Sequence, residues 1–366
     1  MSLKAGIVGL PNVGKSTLFN AITKKHILAA NYPFATIEPN VGVVTVPDKR
    51  VDFLNELYHP KSLVSASFEF TDIAGLVKGA SKGEGLGNKF LSHIREVDAI
   101  VNVVRCFESE GITHVEGQID PVRDIEIIKT ELILADLEII DNRITKLGKK
   151  MDMTTDKKEK IEAGALRHAK TLLESDTPLR LGDLNDDELE ALKSYNLITL
   201  KPVIYVANVS DDDAINGDNK YSKEVKEYAG KEHSGVIVMS CEMESQLSDY
   251  TDEEKDAFLK EIGISASGLD KLIFETYNLL GLRTYFTAGE KEVKAWTFKD
   301  GMTAPKCAGI IHTDFEKGFI RAEVMSFDDL VKYGTELKVK EAGKMRLEGK
   351  EYLMQDGDIC YFRFNV

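Results

Sequence analysis

The residues best suited to chemistry form one contiguous stretch near the N-terminus. Residues 9–16 read GLPNVGKS and fit the pattern G-x-x-x-x-G-K-[ST] in full. The stretch follows an apolar run and opens a helical pattern, which is the context that this motif requires. Glycines let the backbone turn tightly enough for successive N–H groups to surround phosphate oxygens, and the positive end of the following helix adds to that field. Lys15 would then reach the β- and γ-phosphates, and the Ser16 hydroxyl would bind Mg²⁺.

Two later stretches offer groups that would complete a metal-bound polyphosphate site. The loop of residues 31–40 (NYPFATIEPN) contains Thr36, whose hydroxyl can close onto Mg²⁺ and whose N–H can meet the γ-phosphate. Residues 68–75 read as a strand that ends in DIAG. Asp72 can hold Mg²⁺ through water, and Gly75 can bring its N–H against the γ-phosphate. The glycine-dense residues that follow are a candidate γ-phosphate sensor, with a loop of no switching role as the alternative.

Two further strand ends offer groups for a nucleobase. The apolar run at 203–207 is followed by NVSD (208–211), near where an N-K-x-D motif would read guanine. Ser240 and the cysteine after it follow the next strand and can contact a base from the opposite side. In an N-K-x-D motif the acid accepts hydrogen bonds from guanine and the lysine packs along the base. Val209 replaces that lysine while Asp211 keeps the acid, so these residues leave the choice between ATP and GTP open.

Six short apolar runs rich in valine and isoleucine must position these loops. They cover residues 5–8, 41–46, 68–71, 99–104, 203–207 and 236–239. Several are nearly continuous rather than alternating, as strands covered on both faces are. Helical patterns separate some of them, for example at 16–22 and 88–97. Strands that alternate with helices predict an α/β domain with a mostly parallel sheet.

A long intrusion separates the fourth of these runs from the fifth. Its apolar residues recur at heptad spacing, at Ile133, Leu137, Ile140, Ile144 and Leu147. The polar residues 148–160 predict a turn, and a second run of the same spacing passes through Ile161, Ala165, His168 and Leu172. Two such helices predict an antiparallel, coiled-coil-like hairpin that projects from the sheet. Two ordinary surface helices packed on the same domain are the alternative.

After Gly281 the pattern changes to short β-prone runs separated by Gly, Asp and Pro. These runs cover residues 284–287, 294–298, 308–312, 319–324 and 359–364. A segment of this length is large enough to fold alone as a small α+β module. We therefore predict a nucleotide-binding domain at 1–125 and 200–280, a helical insertion at 126–199 and a C-terminal module at 281–366.

The composition limits the class of protein. The chain has 366 residues, of which 43% are hydrophobic and 30% are charged, as in core-forming soluble proteins. No apolar run approaches the roughly 18 residues that span a bilayer. The four cysteines lie far apart, without a CxxC pair. These features predict a cytoplasmic chain with reduced thiols, no membrane contact, no disulfide framework and no zinc site.

The charge is unevenly distributed along the chain. The net charge is −14, while the segment from Arg283 to the end carries 14 basic and 14 acidic residues. The acidic excess therefore lies before that segment. An acidic body argues against loose, non-specific nucleic-acid binding and predicts no DNA partner. Docking to a ribonucleoprotein through a local patch or through protein contacts remains compatible with it.

Taken together, these motifs closely resemble the YchF/Obg-like ATPase family, a branch of the Obg-related P-loop NTPases. The resemblance covers the whole chain and is most specific at residues 9–17, 31–40 and 72–91, in the helical insertion and in the C-terminal module. It implies that this module is a TGS-like, β-grasp domain. It also implies a cytoplasmic nucleotide switch that prefers ATP over GTP, binds the ribosome or one of its subunits with rRNA or tRNA contact allowed, and is linked to stress responses.

The resemblance also implies roles for individual residues. The triphosphate-binding loop is matched by Asn12, Val13, Gly14, Lys15, Ser16 and Thr17. The Mg²⁺ ligands are matched by Ser16 and Thr36, and the base-contact position by Asn208 and Val209. The resemblance further suggests that Asn12 helps to hold a K⁺ that spreads charge at the transition state.

The residue after Gly75 limits catalysis. Leu76 stands where many GTPases carry a glutamine that orients the attacking water, and leucine neither donates nor accepts hydrogen bonds. Intrinsic turnover should therefore be slow, or another group must align the water. His114, in the loop 108–117, is our candidate, because its imidazole can hydrogen-bond water if the loop folds inward. An exposed histidine without a catalytic role is the alternative.

The residues together with the resemblance thus predict a Mg²⁺-dependent hydrolase that acts as a switch, with Lys15, Gly75 and His114 as catalytic residues and with ATP as the substrate that the resemblance implies. A GTP-preferring GTPase of the same fold is one alternative. A nucleotide-gated binding protein with incidental turnover is a second, which the missing glutamine favours. A metabolic kinase is a third, but it would leave the insertion and the C-terminal module unexplained.

Overall fold

The computed structural model of the chain describes residues 3–28, 41–73, 86–109, 111, 115, 117–148 and 155–365, with residues 25–28 and 86–89 as backbone alone. By its internal contacts the chain forms two units, Met1–Val44 with Glu69–Leu272, and Thr45–Phe68 with Ile273–Val366. The division into three parts, with boundaries at 125, 199 and 280, differs from these two units and stays a prediction.

The described residues contain twelve strands and fifteen α-helices. The strands are β1 (Lys4–Val8), β2 (Val41–Thr45), β3 (Leu63–Val64), β4 (Ser67–Asp72), β5 (Ala99–Arg105), β6 (Val203–Asn208), β7 (Gly235–Met239), β8 (Leu282–Thr287), β9 (Val293–Lys299), β10 (Phe319–Ser326), β11 (Arg346–Glu348) and β12 (Asp358–Phe364). The helices of the first unit begin with α1 (Lys15–Leu28), and those of the second with α2 (Lys49–Tyr58). They continue with α3 (Leu86–Arg95), α4 (Pro121–Leu147), α5 (Lys157–Glu174), α6 (Asp186–Leu192), α7 (Asp211–Asn216), α8 (Lys220–Lys231), α9 (Cys241–Leu247), α10 (Asp252–Glu261), α11 (Gly268–Leu279), α12 (Ala304–Ile311), α13 (Thr313–Lys317), α14 (Phe327–Tyr333) and α15 (Glu336–Glu341).

The first unit is built on a six-stranded sheet in the order β2-β4-β1-β5-β6-β7. β1 pairs in parallel with β4 and β5, β5 with β6, and β6 with β7. All six predicted strands are confirmed, and so is the mostly parallel sheet. Because parallel strands end at the same edge, the carboxyl ends of β1, β4, β5, β6 and β7 lie along one rim of the sheet.

The centre of this sheet explains the continuous apolar runs in the sequence. Every residue of β5 and of β6 is buried. A strand covered on both faces has no solvent-facing side, so it does not alternate apolar and polar residues. Burial includes the last residue of each strand, Arg105 and Asn208, which are 2% and 4% exposed. These two polar residues therefore stand at the buried rim of the sheet, where the loops meet.

The insertion contains the two predicted helices, α4 and α5. Asp120 caps α4 by accepting a hydrogen bond from Arg123 N, and Asp156 caps α5 by accepting from Lys158 N and Glu159 N. The helices share an apolar cluster in which Ile133 and Ile140 are buried and the three other predicted residues of α4 pack against it. The packing of the two predicted helices is thus seen, while a projecting arm remains a prediction.

Two details of the predicted insertion are wrong. The turn does not extend to Lys160, because α5 already begins at Lys157 behind its Asp156 cap. His168 is not part of the apolar contact: its ring nitrogens lie 2.9 Å from Glu188 Oε1 and 3.1 Å from Asp183 Oδ1. The buried positions of α5 are instead filled by alanine and leucine, at Ala163, Ala165, Leu166, Ala169 and Leu173. An imidazole between two carboxylates is better placed at the surface than in that apolar seam.

The second unit contains a mixed sheet in the order β11-β10-β12-β8-β9-β3. Its first segment, Thr45–Phe68, belongs here because β3 pairs with β9 and Arg50 Nη1 donates to Asp356 Oδ2 at 2.7 Å. Four of the five β-prone runs are strands, but residues 308–312 are not: they end helix α12. Pro305 lies in the first turn of that helix, and Cys307 and Ala308 are buried in the unit's core. Burial of one helical face there outweighed the local β propensity.

The cysteines and the helix lengths of the described part of the chain can be set beside the composition. Cys106, Cys241, Cys307 and Cys360 are all free thiols, and all four are buried. No described helix combines the length and the apolar character needed to cross a membrane.

Candidate functional site

The turn between β1 and α1 has the backbone conformation that a phosphate-binding loop needs. Asn12 has φ 63° and Gly14 has φ 96°, both in the left-handed region. A Cβ atom on Gly14 would lie 2.2 Å from Asn208 Nδ2, and one on Gly9 would lie 2.8 Å from the Val103 carbonyl oxygen. Glycine at positions 9 and 14 therefore lets the chain turn closely against β5 and β6, leaving amide groups at the start of α1.

Lys15 and Asp72 are brought together at this turn. The Lys15 ammonium lies 2.5 Å from Asp72 Oδ1, and their side chains are 10% and 19% exposed. Asp72 ends β4, and Ile73 N donates to the Ile7 carbonyl at 3.2 Å, which fixes the end of β4 beside β1. A polyphosphate tail would compete with Asp72 for this lysine, because both are anions that need the same cation.

Asn208 joins the phosphate loop to the loops that follow β6 and β7. Its Nδ2 donates to the Val13 carbonyl at 2.8 Å, and its Oδ1 accepts from Cys241 N at 2.9 Å. Its own carbonyl accepts from Cys106 N at 2.8 Å. Through its side chain and its carbonyl, Asn208 thus bonds to three other segments of the rim. Asn208 therefore acts as a brace, meaning that its side chain holds the phosphate loop to the start of α9. The sequence alone did not distinguish this role from direct contact with a base.

Ser240 and Asp211 form a second link between these loops. Ser240 Oγ lies 2.5 Å from Asp211 Oδ1, and the same hydroxyl accepts from Met243 N at 3.2 Å as the cap of α9. Val209 N donates to the Met239 carbonyl at 3.0 Å. The Ser240 hydroxyl and the Val209 amide are therefore engaged within the protein, while Asp211 is exposed at the N-terminus of α7.

A cavity of about 920 Å³ opens over this rim. Its volume lies within the roughly 300–1,000 Å³ that is common for small-molecule sites. The cavity brings together most of the predicted binding residues, and its lining includes Asn12, Gly14, Lys15, Ser16, Thr17, Asn208, Val209 and Ser240. Val13 is buried beneath the loop, and Asp72 joins the site through Lys15.

Some predicted site residues cannot be compared with this geometry. Thr36, Gly75, Leu76 and His114 lie outside the described residues. Their proposed roles therefore stay predictions.

The sequence reading missed one wall of the cavity. Phe107, Glu108 and Ser109 line it from the end of β5. Behind Phe107, the Arg105 guanidinium carbon lies 4.7 Å from the centre of the aromatic ring. The signal that could have found this wall was the sheet order, because β5 lies between β1 and β6 and must end at the same rim.

The titratable groups at the rim argue against covalent chemistry by a thiol. Burial raises the pKa of Cys106 and of Cys241 well above the usual value for a thiol. Both sulfurs therefore stay protonated near neutral pH, and a protonated thiol is a poor nucleophile. Phosphate binding by amides and Lys15 is the chemistry that this rim supports.

The donor set fits Mg²⁺ better than a metal bound by protein alone. The described residues contain no group of three or more His, Cys, Asp or Glu side chains placed to hold a metal ion. The Ser16 hydroxyl and the Asp72 carboxylate provide two oxygen donors on neighbouring elements. Mg²⁺ keeps several waters and usually takes one or two protein ligands together with substrate phosphates, so these residues suit it.

Two families match separate parts of the chain. Residues 4–135 match the family MMR_HSR1, described as "50S ribosome-binding GTPase". Residues 282–365 match the family YchF-GTPase_C, described as "Protein of unknown function (DUF933)". The first match contains the phosphate loop and Asp72, and together with the fold it identifies a P-loop nucleotide hydrolase domain.

Full-length relatives extend this result to the whole chain. The chain is 56% identical to the ribosome-binding ATPase YchF of Bacillus subtilis, and the match covers 100% of this chain and 100% of the relative. It is 47% identical to Obg-like ATPase 1 of Caenorhabditis elegans, covering 100% of this chain and 93% of the relative. Among solved structures, the YchF GTPase of Schizosaccharomyces pombe matches with a TM-score of 0.90 and 45% identity over 99% of this chain and 98% of that one. The chain belongs to the YchF/Obg-like ATPase family.

Proposed function

We propose that this chain binds ATP with Mg²⁺ in the cavity above the β1–α1 turn and slowly hydrolyses it. The observation that carries the proposal is the arrangement of that turn, in which Gly14 lies close against Asn208 and Lys15 lines the cavity. Isothermal titration with MgATP tests it. Binding at micromolar to low-millimolar concentration is expected, and no heat of binding at millimolar nucleotide would contradict it.

Each part of the site has a defined task in this proposal. The amides of residues 12–17 and the Lys15 ammonium hold the β- and γ-phosphates, which requires Lys15 to leave Asp72. Ser16, Thr36 and Asp72 would hold Mg²⁺, which neutralises charge on the phosphates when it is bound. Gly75 would approach the γ-phosphate with its N–H. The binding energy comes mainly from charge-assisted hydrogen bonds in a partly buried site.

The side of the cavity formed by residues at the ends of β5, β6 and β7, here called the base end, supports ATP over GTP. Asp211 Oδ1 is already held by Ser240, and no lysine follows Asn208 to pack along a guanine. Ser240 occupies one acceptor site of this carboxylate, and a guanine would lack the lysine that packs along it, so this arrangement weakens guanine recognition. The B. subtilis relative is named an ATPase and the S. pombe one a GTPase. Side-by-side titration with MgATP and MgGTP decides, and a tighter GTP constant would reverse the assignment.

Two hypotheses concern the slow chemical step. His114 would align the attacking water in place of the glutamine that Leu76 replaces. His114→Ala should then lose most hydrolysis while it keeps nucleotide affinity, and unchanged turnover would end the idea. Asn12, which lines the cavity with its backbone in the left-handed region, would help to hold K⁺. Equal hydrolysis rates in K⁺ and Na⁺ buffers would remove that second role.

At the level of the cell, we propose a cytoplasmic switch that associates with ribosomes. Relatives over 50% identical are named ribosome-binding ATPases. ATP would order the loops that contain Thr36 and Gly75, and hydrolysis would release them. The helical insertion and the C-terminal module, proposed as TGS-like, would then present different surfaces to the ribosome, with rRNA or tRNA contact part of that proposal.

A second candidate is a nucleotide-gated binding protein whose turnover is incidental, favoured by Leu76 in the glutamine position. Turnover measured with and without ribosomes separates the two. Stimulation by ribosomes supports the hydrolytic switch. Indifference, with ATP-dependent ribosome binding retained, supports the gated binding protein.

A further inference from the structure

Arg105 lies behind the wall of the cavity and is almost completely buried. It is the last residue of β5 and is 2% exposed. In the described part of the chain it is the largest by volume of the fully buried side chains. The cavity is lined by Phe107, two residues later, rather than by Arg105 itself. Arginine is rarely fully buried unless it is paired, so its place here calls for a physical reason.

Both contacts of Arg105 with the loop converge on Phe107. Arg105 Nε donates to the Phe107 carbonyl at 3.2 Å, and the guanidinium carbon lies 4.7 Å from the ring centre. The hydrogen bond holds the main chain of Phe107, and the guanidinium covers one face of its ring. A cation over an aromatic face is held more strongly when it is desolvated, as it is here.

The remaining surroundings of Arg105 show that its position is costly. Its Nη1 is buried and has no hydrogen-bond partner among the described residues. Burial lowers the pKa of Arg105, and the carboxylate of Asp124 at the start of α4 partly opposes that shift. An unpaired donor on a buried cation is unfavourable, and such local exceptions are expected where a side chain has a functional task.

We propose that Arg105 is a positioning residue for the nucleobase. It holds the Phe107 ring by one face against the rim, so that the other face is presented to a planar base in the cavity. Arg105 acts through Phe107 and does not touch the ligand. The inference rests on the proposed function, because it assumes that a nucleotide occupies this cavity.

The test compares Arg105→Gln with a matched control, Arg123→Gln. Arg123 is the other arginine beside Asp124, with its Nη2 3.0 Å from Asp124 Oδ1, and it bonds to the Gln118 carbonyl. Each variant is titrated with MgATP and with magnesium tripolyphosphate, which has no base. We expect Arg105→Gln to weaken MgATP binding about tenfold and tripolyphosphate binding less than about twofold. Arg123→Gln should leave both affinities unchanged.

A double-mutant cycle on MgATP affinity with Phe107→Leu keeps the proposal testable even where tripolyphosphate binds too weakly to measure. In the Phe107→Leu background, Arg105→Gln should change the MgATP affinity by less than about twofold, because its target ring is gone. Where thermal melting shows that Arg105→Gln does not fold, Arg105→Lys replaces it in the cycle. The lysine keeps the positive charge but lacks the Nε hydrogen bond. Its MgATP affinity should therefore fall by less than the roughly tenfold loss expected for Arg105→Gln.

Three results would overturn the inference. They are an unchanged MgATP affinity in the Arg105 variant, an equal loss for tripolyphosphate and ATP, and full additivity with Phe107→Leu. Failure of the wild-type chain to bind MgATP would instead overturn the proposed function, so the two failures are distinguishable.

Discussion

The two ends of the cavity are constructed in different ways. At the phosphate end, residues 9–17 alone provide the turn, the lysine and the first turn of α1. At the base end, the residues come from the ends of β5, β6 and β7. Hydrogen bonds from Ser240 to Asp211 and from the Cys241 amide to the Asn208 side chain join the ends of β6 and β7. Phosphate binding therefore depends mainly on local backbone conformation, whereas base binding depends on contacts between residues far apart in the chain.

Asn208 is the point where the two constructions meet. It belongs to the base end by its position and holds the phosphate loop by its bond to Val13. The difference between the ends is thus testable by substitutions on either side of this bond.

The largest effect should follow from Gly14→Ala. The added Cβ would lie 2.2 Å from Asn208 Nδ2, on a residue with φ 96°, so the loop must shift or the bond to Val13 must break. We expect MgATP affinity to fall about 100-fold, because small displacements of a positioning loop are costly. Gly217→Ala is the matched control: it has φ 106° but open space around its Cβ, and it should bind MgATP normally. Equal affinity in the two variants would contradict the account.

Asn208→Ala should affect both ends at once. It leaves the Val13 carbonyl and the Cys241 amide without their partner in a buried region. We expect the free energy of unfolding to fall by about 2–4 kcal/mol in urea denaturation, with weaker binding of MgATP. Asn185→Ala, which removes an exposed helix cap, should cost about 1 kcal/mol and leave MgATP affinity intact. An Asn208 variant as stable as the Asn185 variant would show that the brace contributes little.

The smallest effect is expected at His168, in the insertion, away from either end of the cavity. Its hydrogen bond to Glu188 raises the pKa of His168 above the usual value near 6.5. The resulting stabilisation is present in full below the unfolded-state pKa and is lost as the pH rises through the higher folded-state pKa. Because the site is at the surface, we expect less than about 1 kcal/mol. Urea denaturation of wild type and His168→Gln between pH 6 and 9 should converge at high pH, with MgATP affinity the same in both; a constant difference across that range would be inconsistent with titration of His168.

The phosphate end was predictable from sequence because its information is contiguous. The glycines, Lys15 and Ser16 follow one another in the chain, and residues 5–8 before them form an apolar run. The sheet was predictable for a related reason, since strands buried on both faces carry a continuous apolar pattern.

The base end was less predictable because its information is distributed. Residue types alone suggested that Asn208 and Ser240 contact a base, whereas the structure shows both side chains bonded within the protein. Phe107 and Arg105 were missed, because nothing in their immediate sequence marks them. They become significant only when β5 is placed between β1 and β6. Helix α12, which takes in residues 308–311, was missed for the same reason, since its buried face is defined by distant strands.

The central claim is that the phosphate end binds the triphosphate through Lys15 and the loop amides, independently of the base. Titration of wild type and Lys15→Ala with MgATP and with magnesium tripolyphosphate tests it most directly. The account predicts that the substitution weakens both ligands by a similar factor, about 100-fold. A Lys15→Ala variant that binds either ligand as tightly as wild type would contradict it.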